Sequence, residues 1–365
     1  MQTVKNITSI KYFLDRFETV DNEYSFDVKY HEKAPKTHFH SLPTFVAEFR
    51  NCSVNTLPCL ITEDRHLITE NVWPLLHKYK HKPQKIHSLW NEWTEPTLEI
   101  TMPPITKQLD SVGRYVWLPI DKESANNPWH IWIDVISKFR LIEKKYGILN
   151  FSNFIYVLSN PGAYFDKVAK EMFPDLKYYV MSEGEAWRFE HLIVPSMSNH
   201  DDGITTPHLP LWLNHFKELF GFKGLEPHRK IIVLRPGAKT RKLVNSDELI
   251  LALKGWETVA LENMTIKEQF KTFAEATHIL AAHGAGLVNL LWCKPNTKVI
   301  EIQDPTMLHK KVYPLLSHHL GLKHELYLAT TIPIGYQNKK PKGVKRINDL
   351  INFEVNVPDL IRLLD

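Results

Sequence analysis

The sequence predicts an α/β protein of two domains, the second of them doubly wound. Three observations lead there. The chain has 365 residues, more than one typical core accommodates and enough for two. Its second half alternates short β-rich runs with helical periodicity, the pattern of a parallel sheet with crossover helices. The third of those runs ends in a glycine turn, His283-Gly284-Ala285-Gly286, that opens an apolar periodic segment.

Composition narrows the function classes. At 43% hydrophobic and 11% aromatic the chain is globular rather than disordered. A net charge of +4 tolerates an anionic substrate but lends no support to nucleic acid as a partner. Cys52, Cys59 and Cys293 form neither a CxxC nor a paired framework, so reduced thiols are expected. No run approaches the roughly 18 apolar residues of a membrane helix, and MQTVKNITSIKYFLDRF has no signal-like apolar core. A soluble, cytoplasmic protein with no transmembrane segment is the expectation, with peripheral membrane contact left open.

Taken in order, residues 1 to 45 carry no clear pattern. Phe45 to Asn51, Cys59 to Asp64 and His66 to Pro74 read as three short strands divided by Asn, Pro and Asp. Residues 74 to 110 are expected to be loop with short elements, and Arg114 to Ile120 a buried strand. Asn127-Pro128 then starts a helix running to Tyr146. Asn is a good N-cap, and Pro at the first helical position gives up an N–H that has no intrahelical partner anyway. Trp129, Trp132, Ile133 and Ile136 fall on the core face, while His130 and Asp134 share another face one turn apart. Asn153 to Ser159, Lys177 to Ser182 and His191 to Ser196 follow as strands, with a helix over Gly162 to Phe173. Gly203 to Pro210 is turn-rich, and Leu211 to Phe220 is helical.

In the second half, Lys230 to Pro236, Trp256 to Leu261, His278 to His283, Lys298 to Ile302 and His324 to Ala329 are strands. Helices are expected over Asp247 to Lys254, Ile266 to Ala276, Gly286 to Cys293 and Lys311 to His319. Lys339 to Arg346 is a basic linker and Val357 to Leu364 a closing helix. The expected division is residues 1–208, an α/β domain with an extra β-rich N-terminal part; 209–345, a Rossmann-like domain; and 346–365, the closing helix.

The glycine turn is not a dinucleotide fingerprint. Asn289 stands where its third glycine belongs, and the turn follows the third strand instead of the first. Nor is it a Walker loop, because no Lys-Ser/Thr pair follows. Its glycines let backbone approach a ligand, and the N–H groups of Gly284, Ala285 and Gly286 open a helix that faces an anion. The structural alternative is a turn needed only for close packing. Arg235 ends the first strand of this half, and Arg241 follows in RPGAKTRKLVN. Ligands of open α/β sheets bind outside the carboxyl ends of strands, so both arginines, His283 and the turn, with Asn289 counted among its contacts, suit a diphosphate. Glu301, ending the next strand, either receives ribose hydroxyls or pairs with a lysine.

HGAGLVN with KPNTKVIEI after it, MTIKEQFKTFAEA and RPGAKTRKLVN before it, and NPWHIWIDVISKFR in the N-terminal half together resemble glycosyltransferase family 61. The resemblance runs from about Pro119 to Glu301. It implies a GT-B-like architecture, two Rossmann-like domains facing across a cleft, the N-terminal one on the acceptor side. It also implies inverting transfer from a nucleotide-sugar, usually a UDP-sugar, held mainly by the C-terminal domain, to a hydroxyl of a glycan or protein acceptor. The chain lacks the Asp-x-Asp pair that holds a metal on a diphosphate, so no metal cofactor is expected. Arg235, Arg241 and the helix N-terminus at Gly286 would stabilise the leaving group instead. His38-Phe39-His40 and His200-Asp201-Asp202 lack further ligands at convincing spacing.

Inverting transfer needs a base for the acceptor hydroxyl. His130 and Asp134 are the candidates. In the first helical turn the dipole disfavours imidazolium and keeps His130 neutral, and Asp134 either takes the proton itself or orients His130. Glu183 and Glu185 are held in reserve, and a pair that merely satisfies itself beside the core is the structural alternative. A non-catalytic nucleotide- or glycan-binding protein of the same fold is the alternative function. A dehydrogenase is disfavoured by the glycine pattern.

Overall fold

The structure, a computed structural model, describes residues 2–4, 6–8, 19–21, 24–28, 37–41, 44–56, 60–64, 66–68, 100–120, 125–147, 153–196, 208–308, 310–334 and 351–364. The expected Lys339–Arg346 linker, the His200-Asp201-Asp202 set and the connector up to residue 207 lie outside them. The chain divides into two compact α/β units, residues 1–24 with 41–199, and residues 25–40 with 200–365. Among the described residues no helix is long and apolar enough to cross a membrane.

In the first unit the central strands are β1 (Thr44–Asn55), β2 (Tyr115–Leu118), β3 (Ile155–Ser159), β4 (Tyr178–Met181) and β5 (Ala186–Pro195). Their spatial order is β4-β3-β2-β5-β1, parallel up to β5, with β1 antiparallel at the end. β1 runs past the expected end of its run at Asn51. Asn51 takes φ 49°, a left-handed conformation Asn tolerates, and the strand continues because Cys52 and Val54 both return to the core at 0% exposure. Short strands at Ile100–Met102 and Ile105–Leu109 occupy the end of the expected 74–110 loop.

The helix expected from Pro128 to Tyr146 begins as predicted, with the Asn127 side chain accepting from the Trp129 N–H. It is not one α-helix. Ile131–Ile136 is a π-helical turn between an α turn at Pro128–His130 and an α-helix over Lys138–Tyr146. The cause lies at Ser137. Its Oγ takes the Ile133 carbonyl, four residues back, and its own N–H reaches five back to Trp132 O at 3.2 Å. Trp129, Trp132, Ile133 and Ile136 are all buried as expected, leaving His130 and Asp134 partly exposed.

The second unit is a five-stranded, fully parallel sheet of β6 (Arg229–Leu234), β7 (Glu257–Ala260), β8 (Ala276–Ala282), β9 (Lys298–Gln303) and β10 (Lys323–Leu328). The order β7-β6-β8-β9-β10 places the topological switch between β6 and β8. Ile231, Ile279, Leu280, Val299 and Ile300 are fully buried and form the sheet's hydrophobic centre. Helices Ser246–Ala252, Ile266–Ala274 and Val312–Leu320 connect the strands. Thr265 and Glu268 form a reciprocal capping box that starts the second of these.

The segment after the glycine turn was expected to be an α-helix and is a 3-10 helix, Ala285–Trp292. Asn289 Nδ2 binds the Gly286 carbonyl at 2.9 Å, taking the acceptor that an α-helical Leu290 N–H would need. Leu287 to Trp292 are buried on every side, and Trp292 stacks on Phe270 with centroids 3.9 Å apart. Burial of Phe270 alone contributes roughly 1.5–3 kcal/mol. The chain closes with a hairpin of Thr330–Pro333 and Ile351–Glu354, then the helix Val357–Arg362, whose Leu360 packs with Phe353 and Ile232 in the sheet's core.

Candidate functional site

β6 and β8 lie side by side at the switch, so the residues leaving their carboxyl ends, Arg235 and His283, are brought together as the topology requires. A Cβ placed on Gly284 would stand 3.2 Å from Arg235 Nη1 and 3.3 Å from its Cζ, so the guanidinium lies against the glycine turn. Gly284 itself has φ 174°, extended backbone open to any residue. Its lack of a side chain therefore serves the arginine. At Gly286 a Cβ would meet Leu261 Cδ1 at 2.7 Å, which serves packing.

Arg241 reaches the same place by a different route. Its Nη1 donates to the His283 carbonyl at 3.4 Å. The backbone of Arg241 has φ 58°, uncommon for a side-chain-bearing residue, and is pinned by the closing hairpin. Arg241 N donates to Ile351 O at 2.6 Å, Lys242 N to Asn352 Oδ1 at 3.0 Å and Phe353 N to Lys242 O at 2.7 Å. A segment more than a hundred residues downstream thus sets the loop.

The electrostatics of the two arginines are unusual. Arg235 Nη1 and Arg241 Nε are buried without hydrogen-bond partners, and neither guanidinium has a carboxylate ion-pair partner among the described residues. Burial first, and the like charge of Arg241 second, push the Arg235 pKa down. A cavity of about 20 Å³ beneath them, room for one water, is lined by Arg235, Arg241, Leu243, Ala282 and Ile302. Two adjacent cations with unmade donors are costly unless an anion joins them. The 3-10 helix adds its first amides: Leu287 N binds Gly284 O at 2.9 Å, leaving Ala285 and Gly286 N–H without an intrahelical acceptor.

Glu301 is fully buried at 0% exposure, and both of its oxygens are taken. Oε1 bonds to His283 Nδ1, and Oε2 lies 3.0 Å from His324 Nε2. Burial by itself raises its pKa, but the hydrogen bonds and charge of His283 and His324 prevail and bring it down to about 2. The partners of this carboxylate are histidines, where a ribose or a lysine was considered. Asn289 is 1% exposed, bonded to Gly286 O and, at 3.2 Å, to Gln269 Oε1, so it underpins the turn from below.

His130 and Asp134 belong to the first unit, and Arg235, Arg241, His283, the turn and Glu301 to the second. His130 Nδ1 lies 2.7 Å from Asp134 Oδ2, with side chains 37% and 27% exposed, so the pair is made and open to solvent. It follows the carboxyl end of β2 in the chain, and Asp134 lies on a π-turn of the kind that recurs at functional sites. One turn on, Lys138 is 2% exposed; burial lowers its pKa to about 8 while Asp134 pulls the other way. Of the reserve candidates, Glu185 closes its own turn, accepting from Ser182 N at 2.7 Å and Trp187 Nε1 at 3.2 Å.

Four contributors escape sequence reasoning: His324, Ser317, Tyr313 and the Ile351–Asn352 segment. Tyr313 lies edge-on to His283 with centroids 5.2 Å apart and is 3% exposed. No local signal marks any of them, because each acts across strands or from the far end of the chain.

The comparisons with known proteins bear on the same region. The Glycosyltransferase 61 family matches residues 101–300, which takes in the His130 helix, both arginines and the glycine turn. A beta-1,2-xylosyltransferase of Oryza sativa subsp. japonica is 30% identical over 131 residues, covering 33% of this chain and 22% of that protein. A beta-1,2-xylosyltransferase of Arabidopsis thaliana is 27% identical over 114 residues, covering 27% of this chain and 21% of its own length. The matched stretch thus spans about a fifth of each relative. With more than half of its length matched, and with His130, Asp134, both arginines and the glycine turn inside that part, the chain belongs to glycosyltransferase family 61.

Proposed function

We propose that the chain is an inverting glycosyltransferase that moves a sugar from a UDP-sugar to a hydroxyl of a glycan or protein acceptor without a metal cofactor. The observation that carries this is the pair Arg235 and Arg241, two neighbouring guanidiniums with buried, unpartnered donors against Gly284 at the sheet's switch point. A diphosphate supplies what they lack: two negative groups and several acceptor oxygens, placed to receive bidentate bonds. Family membership supports glycosyl transfer as the chemistry, and the names of the plant relatives, both beta-1,2-xylosyltransferases, support a sugar as the group transferred.

In this proposal the two units are the acceptor and donor halves of a GT-B enzyme. The acceptor oxygen attacks the anomeric carbon as the bond to the diphosphate breaks, and the electron pair leaves with the diphosphate. Arg235, Arg241 and the Ala285 and Gly286 amides stabilise that growing charge, which is where preorganised donors accelerate most. His130 with Asp134 takes the acceptor proton. An ionised Asp134 accepts from Nδ1–H, so Nε2 is the nitrogen that receives the proton, and Asp134 stabilises the imidazolium that results. Glu301 acts through His283 and does not touch the ribose. The absence of an Asp-x-Asp pair supports metal independence.

The test is calorimetric titration with UDP, in EDTA and in Mn²⁺, followed by a panel of UDP-sugars for donor hydrolysis and transfer. Binding of UDP in EDTA, unimproved by Mn²⁺, is the expected result. Failure of any nucleoside diphosphate to bind overturns the proposal.

A further inference from the structure

Behind His283 runs a buried chain of polar groups that sequence reasoning did not connect. Ser317 Oγ lies 2.7 Å from His324 Nδ1, His324 Nε2 lies 3.0 Å from Glu301 Oε2, and Glu301 Oε1 bonds to His283 Nδ1. Ser317 and Glu301 are 0% exposed and the His324 side chain 5%, so water does not substitute for any of these bonds. Gln303 Nε2 flanks the chain, 3.4 Å from Glu301 Oε1 and 3.3 Å from His283 Nδ1. Among the described residues, Arg241 lies on the His283 carbonyl, Arg235 beside Gly284, and Tyr313 against the His283 ring.

Proton counting orders the chain. An ionised carboxylate can only accept, so His283 Nδ1 and His324 Nε2 both carry hydrogens directed at Glu301. On a neutral His324 the remaining Nδ1 then accepts from the Ser317 hydroxyl. On His283 the remaining nitrogen is Nε2, which no polar group among the described residues engages. A histidine whose Nδ1–H is bound to a buried carboxylate has its tautomer and ring angle set by that bond, as in metal sites and acyl-transfer triads.

We propose that Ser317, His324 and Glu301 are positioning residues that fix the His283 ring through its Nδ1–H, so that Nε2, which takes a proton from solvent as the diphosphate binds, donates to the leaving group. The assignment rests on the diphosphate site proposed above, which gives Nε2 its ligand. His324 satisfies the second oxygen of Glu301, and without it that oxygen is buried and unpaired, which frees the carboxylate to turn away from His283.

Two measurements test this, and they fail separately. Nitrogen-15 NMR of labelled histidine should show His283 as the Nδ1–H tautomer in the unmodified protein and a mixture of forms in His324→Leu. Calorimetry with UDP should show roughly tenfold weaker binding for His324→Leu, and for His324→Gln, whose amide can still donate to Glu301, binding within about threefold of the unmodified protein. In a His283→Ala background the same His324→Leu change should alter UDP affinity by less than about twofold, because its route of action is gone. Should His324→Leu not fold, Ser317→Ala enters the same cycle with an expected loss of about threefold. An equal loss in both backgrounds, or the Nε2–H tautomer in the unmodified protein, overturns the positioning chain. UDP failing to bind while the expected tautomer is present overturns the diphosphate site and the contact assigned to Nε2, but not the tautomer set by Glu301.

Discussion

Replacing Arg235 by methionine separates the function of this site from its stability. The substitution keeps the apolar stem while removing the guanidinium that lies against Gly284. In the free protein that guanidinium has a buried donor without a partner and a like charge nearby, which together hold its pKa down. An unsatisfied buried donor costs about 1–3 kcal/mol, so its removal offsets the packing lost, and stability should be unchanged or higher by about 1 kcal/mol. For a unit of this size that is a rise of about 2–4 °C in Tm at most. Binding behaves oppositely. Two charge-assisted hydrogen bonds to a diphosphate contribute about 1.5–3 kcal/mol each, so UDP affinity should fall by roughly 10²- to 10⁴-fold. Differential scanning fluorimetry and calorimetry on the same samples measure both. A Tm that drops by more than about 5 °C with UDP affinity unchanged would refute the reasoning, because Arg235 would then be holding the fold and not a ligand.

Gly284→Ala should act on the same arginine from the other side. Its φ of 174° accepts alanine without strain, but the new Cβ would crowd Arg235 at 3.2 Å, so the protein should fold normally and bind UDP at least about tenfold less well. Asp134→Asn and His130→Ala should each lower transfer by roughly 10²–10⁴-fold while leaving UDP affinity within about twofold; a matching loss of UDP binding would remove the base assignment. Glu301 predicts a pH dependence. Its pKa falls from an ordinary 4.5 to about 2 in the folded chain, so its contribution is fully present above the ordinary value and is lost as pH falls through the folded one. Denaturant unfolding followed from pH 7 to pH 2 should show this acid limb, and Glu301→Gln should flatten it.

The fold was legible wherever periodicity is local. Lys230 to Pro236 and His278 to His283 read as strands because their apolar residues are contiguous, as befits a sheet covered on both faces, and they were found within a residue or two. Asn127-Pro128 announced its helix by capping chemistry alone. The interruptions were not legible. The π-turn depends on Ser137 taking the Ile133 carbonyl, and the 3-10 helix on Asn289 taking that of Gly286, side-chain competitions that a hydrophobic pattern does not register.

The site divides in the same way. Sequence alone determined that Arg235, and His283 with the glycine turn, lie at the carboxyl ends of strands in an alternating α/β half, where ligands of such sheets gather. That the two strands are neighbours is decided by the sheet order. Tertiary structure alone decided what those residues do to one another. Arg241 arrives only because Ile351 and Asn352 hold its loop in a left-handed turn. Glu301 serves His283 only because His324, on the adjoining strand, occupies its other oxygen. Those are contacts between chain segments far apart in sequence, made inside a core where an unpaired polar group is expensive, and no local pattern of residues encodes which partner will be there.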